Sequence, residues 1–483
     1  MPSLPSFKPT FSAKDAETLW DDNNLTWKGF EVVGIPDHAL SPWNGKVIQL
    51  AHVMTPADLH SLFAAPAPPA AWTESDIFAF AQRLFHAIQE LEKALREAMR
   101  LETAFSASDC DELMEGTRHY LARFAEYYAS ATPTESLLQR YDCGSSEREI
   151  RLQPGAWGTV SVLLPQNALL FLAVVCVVNA LVAGNRVVLR FPLQGARTAA
   201  LLATAIVQAK PPRESVAVIV AKGREFLEAA YAGPHPNLIH YLGASEFGGD
   251  ILKMAFEGGK PALIDGSGNG WIWVSDSTDP QHAAQLLTHG ATRYNGQTCT
   301  SINGAVIHPA IYAQVRDLLQ KQWQQLSRDA TQEASIGPLF DAKQAAFCQE
   351  RCQSSGGQIL CGGHAQDNYL EPTLVENPRT DSDLVQNGVF GPVLWLRPGT
   401  EADFVALWPS NRYPLCAAVL DSGAEEQWWL SRLPNVARLV LNGDPSLEYI
   451  YEPWGGYPPS GANVVGLWHR KYQRTVSVDA PAY

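Results

Sequence analysis

At 483 residues the chain exceeds what one ordinary hydrophobic core supports, so two or three domains are expected. Apolar content of 46% against 18% charged residues describes a well-buried globular protein and excludes a disordered one. With 50 acidic against 36 basic side chains, net charge −14, it lacks the concentrated basic surface that gripping a nucleic-acid backbone requires.

Residues 1 to about 75 carry many Pro, Trp and polar residues with little periodicity, and 64–71 reads as an Ala/Pro linker. The start, Met1-Pro2-Ser3-Leu4-Pro5, has neither a basic opening nor an apolar core, so no signal peptide is expected. From Ser75 onward, Ile77, Phe80, Leu84, Ile88, Leu91, Leu95 and Met99 recur at helical spacing, with Ser75 and Asp76 as the expected N-cap. A second helical run covers 111–131 and carries Leu113, Tyr120, Leu121, Phe124 and Tyr128. Residues 148–164 read as strands. The apolar run from Ala168 to Val178 is too short to span a bilayer, so no membrane partner is expected. Short β-branched runs follow at 187–189, 216–220 and 237–242, separated by helices, one of them over 198–210. That alternation predicts a parallel sheet covered on both faces, with its ligand site at the carboxyl ends of the strands. A second α/β unit is predicted from strands at 271–274, 305–307, 390–396, 416–420 and 438–441, with helices over 282–294 and 310–328. The alternating tail at 474–478 reads as an edge strand.

The eight cysteines are scattered, and Cys348, Cys352 and Cys361 lack zinc-ligand spacing, which gives no metal site and free thiols in a reducing, cytoplasmic setting. One cysteine stands apart. Tyr294-Asn295-Gly296-Gln297-Thr298-Cys299-Thr300-Ser301 places a thiol among small polar residues directly after an amphipathic run, a setting that suits a reagent better than a core filler.

Other segments fall in order around it: Val162-Leu163-Leu164-Pro165-Gln166-Asn167, then Ala183-Gly184-Asn185-Arg186, then Leu242-Gly243-Ala244-Ser245-Glu246-Phe247-Gly248. After the cysteine come Tyr369-Leu370-Glu371-Pro372-Thr373-Leu374, Val389-Phe390-Gly391-Pro392-Val393 and Trp454-Gly455-Gly456-Tyr457-Pro458-Pro459-Ser460-Gly461. Together these resemble the aldehyde dehydrogenase superfamily from about residue 75 to the end. The resemblance implies an α/β fold of two parallel-sheet domains, one dinucleotide-binding and one catalytic, plus a small β oligomerisation element. The boundaries it suggests are 1–74 for an N-terminal extension packing on the cofactor domain, 75–265 for the dinucleotide-binding domain, 266–450 for the catalytic cysteine domain and 451–483 for a return segment and oligomerisation strand. A strand-rich bridge is expected near 140–160.

The same resemblance implies oxidation of a small-molecule aldehyde with NAD(P), Cys299 as nucleophile and Asn167 as the amide that binds the oxyanion. It places Pro165, Gln166, Arg190, Gly223, Gly243, Ala244, Gly248 and Phe390 at the cofactor, and a homodimer or homotetramer as the assembly. The sequence departs from the family in several places. The glutamate that serves as general base falls on Ile264, leaving the adjacent Asp265 as a substitute, and the glutamate before Phe-Gly-Pro is replaced by Asn387-Gly388. The family's ribose-binding lysine falls on Arg190 and a ribose-gripping glutamate on Leu193, a lean toward NADP because a guanidinium can bind a 2'-phosphate. The missing base opens two alternatives, transfer of the acyl group to coenzyme A or another thiol (or the reverse reduction), and a catalytically weak family member kept for binding or assembly.

Overall fold

The structure, a computed structural model, describes residues 34–43, 45–67, 71–131, 137–142, 147–326 and 336–481. The expected extension over 1–74 and its linker therefore lie partly outside the described residues, as does the end of the helix expected over 310–328. In chain order the first strands are β1 (Ile35–Leu40), β2 (Val47–Val53), β3 (Leu137–Asp142), β4 (Glu147–Ala156), β5 (Thr159–Leu163), β6 (Arg186–Phe191) and β7 (Val216–Val220). Next come β8 (Asn237–Leu242), β9 (Ala262–Asp265), β10 (Gly270–Val274), β11 (Ile302–Ile307), β12 (Gln358–Cys361), β13 (Ala365–Gln366) and β14 (Tyr369–Leu370). The last are β15 (Thr373–Glu376), β16 (Val393–Pro398), β17 (Cys416–Leu420), β18 (Arg438–Leu441), β19 (Trp454–Gly456), β20 (Gly461–Gly466) and β21 (Gln473–Pro481).

Among the described residues one sheet runs β1-β2-β7-β6-β5-β8-β9-β20-β19, parallel from β2 to β9. Its central strands are buried on both faces: Thr159-Val160-Ser161-Val162-Leu163 and Val216-Ala217-Val218-Ile219-Val220 are apolar almost throughout. Such runs are stable only under helices on both sides. The helix Leu169–Val182 supplies one cover, and it is apolar around nearly its whole circumference because the sheet lies on one side and the helices Glu74–Glu90 and Ala107–Ala122 on the other. The segment before residue 75, illegible as sequence, contributes β1 and β2 to this sheet. The C-terminal return contributes β19 and β20, with Gly461 opposite Asp265 and Ala462 opposite Ile264.

A second sheet, β12-β15-β16-β11-β10-β17-β18, is parallel except at β12. Trp271 on β10 stands edge-on to Trp395 and Trp408 and anchors one of its faces. A third sheet, β21-β4-β3, is antiparallel, and the expected tail strand is the long edge member β21.

Helix boundaries depart from the sequence reading. The first long helix is capped by Thr73, not Ser75: Thr73 and Asp76 exchange side-chain and backbone hydrogen bonds in a capping box worth about 1 kcal/mol. Apolar periodicity carries across Leu91 and Arg123, yet the backbone breaks into separate helices at both. The helix expected through Tyr294 ends at Thr292, and the strand expected from Phe390 begins at Val393.

Candidate active site

The helix Pro280–Thr292 stops in a turn where three successive residues adopt left-handed backbone, Tyr294 at φ 52°, Asn295 at 56° and Gly296 at 66°. The two that carry a Cβ cost roughly 1–3 kcal/mol each unless the surroundings hold them. They are held. Asn295 is fully buried; its Nδ2 donates to the carbonyls of Ala104 at 3.0 Å and Pro338 at 3.4 Å, and its Oδ1 accepts from Gly337 N at 2.9 Å. Arg293 donates from Nε to Glu112 at 3.0 Å and from a terminal nitrogen to the Ser446 carbonyl. A Cβ on Gly296 would stand 2.2 Å from the carbonyl oxygen of Gly391, so the loop before Val393 packs directly onto the turn.

The turn delivers Cys299 into a cleft of about 1480 Å³ between the two parallel sheets. Gly268, on the link from β9 to β10, backs it so closely that a Cβ there would lie 1.8 Å from the Cys299 carbonyl oxygen. Asn167 faces it from the first sheet. Ala168 is the N-cap of the helix Leu169–Val182, which has no side-chain cap, so Asn167 does not cap it. Its Nδ2 donates to the Gln297 carbonyl at 3.0 Å, two residues from the thiol, and a second N–H on the same nitrogen remains for a ligand. Two segments 132 positions apart in the chain are thus joined at one site, as their residue types required.

A protein-family model described as the aldehyde dehydrogenase family matches residues 37–477. The chain belongs to the aldehyde dehydrogenase family. Among its relatives, a peroxisomal aminoaldehyde dehydrogenase 1 of Pisum sativum is 26% identical over 325 residues, 64% of this chain and 64% of that protein. A benzaldehyde dehydrogenase [NAD(+)] of Pseudomonas putida is 26% identical over 314 residues, 63% of this chain and 64% of that protein. The matched stretch thus spans somewhat less than two thirds of either relative. A solved betaine aldehyde dehydrogenase from Staphylococcus aureus shares the fold, with a TM-score of 0.86 at 19% identity and 97% of each chain covered.

Within this aldehyde dehydrogenase fold, Pro165, Gln166, Gly243, Ala244 and Phe390 line the same cleft as Cys299 and Asn167, whereas Arg190, Gly223 and Gly248 lie outside its lining. Arg190 ends β6, donates from Nε to the Ala221 carbonyl at 2.6 Å and has Gly223 beside its terminal nitrogens. Burial lowers its pKa to about 10, and among the described residues no carboxylate pairs with it. Gly248 opens the helix Gly248–Glu257 and lets it approach Ile264 on β9. Of the Asn387-Gly388 pair before Val389-Phe390, Asn387 turns back and donates to Asp383 at 2.7 Å.

Desolvation pushes the Cys299 pKa well above its usual value, Glu448, Cys416 and Asp265 push the same way, and a backbone hydrogen bond at Cys299 itself opposes them. Asp265, the expected substitute base, reaches the cleft wall with both oxygens occupied. Asn463 Nδ2 donates to Oδ1 at 2.8 Å and Oδ2 at 2.9 Å, and His240 Nε2 lies 2.7 Å from Oδ2. Burial works against its charge, but the His240 hydrogen bond and charge, with Lys471 and Asn463, outweigh it and hold the carboxyl below its usual range. His240 continues through Nδ1 to Tyr472 at 2.8 Å, so Asp265 clamps β8, β9, β20 and the tail together. Sequence reading also missed Glu448, which opens onto the cleft and accepts a hydrogen bond from Thr300 Oγ1 at 2.8 Å. It sits in a loop with no periodicity or motif to mark it.

Proposed function

We propose that this family member oxidises the aldehyde group of a small molecule with NAD(P), through a thiohemiacetal and then a thioester on Cys299. The observation that carries the reading is the convergence of the Cys299 loop and the Asn167 amide in one cleft, tied by the 3.0 Å contact to Gln297. As Cys299 Sγ adds to the carbonyl carbon, the oxygen gains negative charge, and Asn167 Nδ2 and the Cys299 backbone N–H are the donors that meet it. A dinucleotide would lie past the end of β8, where Gly243 and Ala244 line the cleft with little side chain, and Arg190, outside that lining, offers a half-buried guanidinium with no acid partner among the described residues. Those residues, with Pro165, Gln166 and Phe390, would hold it, Gly223 and Gly248 giving backbone room beside them, and Arg190 leans the choice toward NADP. When bound, the dinucleotide would supply the hydride acceptor for the oxidation.

Ile264 at the family's base position favours a second reading, transfer of that acyl group to coenzyme A or another thiol. For assembly we propose a homodimer or homotetramer, with β21 as the exposed edge, and for location the cytoplasm; no described helix is long and apolar enough to cross a membrane. The domain boundaries above, near 265 and 450, stand as part of this proposal.

The test is a panel of aldehydes assayed with NAD and NADP, with and without coenzyme A, on wild type and Cys299→Ala. The variant is expected to lose aldehyde-dependent dinucleotide reduction and the acyl adduct detected by intact mass. Undiminished turnover would remove Cys299 from the reaction, and an absence of dinucleotide binding by the wild type would favour a binding or assembly role instead.

A further inference from the structure

The acids that line the cleft are already spoken for, with two exceptions. Asp265 is held at both oxygens, Glu112 pairs with Arg293, Glu115 with Arg96 and Arg118, and Glu452 with Arg438, while Asp341 caps the helix Ala342–Ser354. Glu246 belongs to the turn after β8, on the dinucleotide wall and beside Tyr241. That leaves Glu448. Among the described residues its carboxylate accepts one hydrogen bond, from the hydroxyl of Thr300, and makes no ion pair. Thr300 follows Cys299 directly and is 1% exposed, so the hydroxyl that holds Glu448 is fixed relative to the sulfur. One oxygen is therefore committed, and the other accepts no hydrogen bond among the described residues.

We propose that Glu448 is the proton acceptor that opens the acyl group on Cys299 to water. The proposal rests on the reading that Cys299 carries a thioester. In this step the oxygen of a water bonds to the acyl carbon while its proton passes to the free oxygen of Glu448. The carbonyl pair moves onto the oxygen held by Asn167, then re-forms the double bond as the carbon–sulfur bond breaks and its electrons return to Sγ. A carboxylic acid leaves, no electrons are exchanged, and Glu448 gives its proton to solvent along the open side of the cleft. A base has to stand within reach of its water, and Glu448 lines the same cleft as Cys299 while held by the residue next to it. Of the charged groups acting on Cys299, Glu448 acts most strongly. Nothing in the sequence announces the residue, because it lies between β18 and β19, far from the position where the family carries its glutamate.

The experiment follows dinucleotide reduction and protein mass in wild type, Glu448→Gln, Glu448→Asp and Thr300→Val, each checked for folding by circular dichroism. Glu448→Gln is expected to keep the first stoichiometric burst, to lose roughly 10²- to 10⁴-fold in steady turnover, and to accumulate an acyl mass on Cys299 that hydroxylamine removes. Glu448→Asp should recover part of the turnover, and Thr300→Val should slow the same step with the burst intact. Wild-type turnover in Glu448→Gln overturns the proposal. So does loss of the burst in a folded variant, or a change confined to KM for cationic aldehydes. A wild type that never acylates Cys299 with any aldehyde overturns the function itself, and this proposal with it.

Discussion

The two walls of the cleft handle carboxylates in opposite ways. On the wall built from β8, β9 and β20, Asp265 is enclosed and held at both oxygens by His240 and Asn463, and its charge serves to bind strands to one another. On the wall built from the loop after β18, Glu448 is open and tied at a single atom. The residues have similar chemistry and both bear on Cys299. What separates the two is how many contacts each carboxylate already makes, three on Asp265 against one on Glu448 among the described residues.

The walls should therefore fail at different steps. The largest effect on the burst after loss of Cys299 itself is expected from Asn167→Ala, which removes a donor to the developing oxyanion and should slow it by roughly 10²- to 10³-fold. Stopped-flow measurement separates that from the late, post-burst loss expected of Glu448→Gln; a slow second phase with a normal burst in Asn167→Ala would erase the distinction. A smaller effect is expected from Asp265→Asn, which should cost about 2 kcal/mol of stability in denaturant titration through lost charge-assisted hydrogen bonds while the ratio of burst to steady rate stays put. A collapse of that ratio would return Asp265 to the role of base. Because its folded pKa is depressed, the stability it contributes is present above its ordinary value of 3.8 and lost as pH falls through the folded value.

The smallest and most graded test uses a third carboxylate, Glu102, enclosed at the N-terminus of the helix Ala196–Ala209, where it accepts from the backbone of Arg197 and Thr198. Burial raises its pKa to about 7 against those hydrogen bonds. A raised value means stability is fully present below the unfolded 4.5 and is lost as pH rises through about 7. The change is on the order of 3 kcal/mol at most. Chemical denaturation from pH 4.5 to 8 should show that slope in wild type and a flatter one in Glu102→Gln; equal slopes would show that enclosure does not govern this group.

What the sequence disclosed follows the same physics. The parallel strands were legible because runs such as Val216 to Val220 are apolar on both faces, and Cys299 and Asn167 were legible because they sit in stretches with recurrent composition. Helix breaks at Leu91 and Arg123 were not, since apolar periodicity runs straight through them. The turn at Tyr294 and Asn295 was hidden because its hydrogen bonds come from Ala104, Gly337 and Pro338, which only the fold brings near. Asp265 was assigned by adjacency to a missing residue, and its partners His240 and Asn463 lie 25 and 198 positions away. Glu448 carried no signal because a reactive acid in a loop looks like any solvated one.

The desolvated sulfur at the base of the cleft has one more consequence. The Cys299 pKa is pushed above its usual value, and neutral thiols are poor targets for peroxide and alkylating agents. Such reagents are therefore expected to react slowly with the free protein and faster once something positively charged lies beside the sulfur.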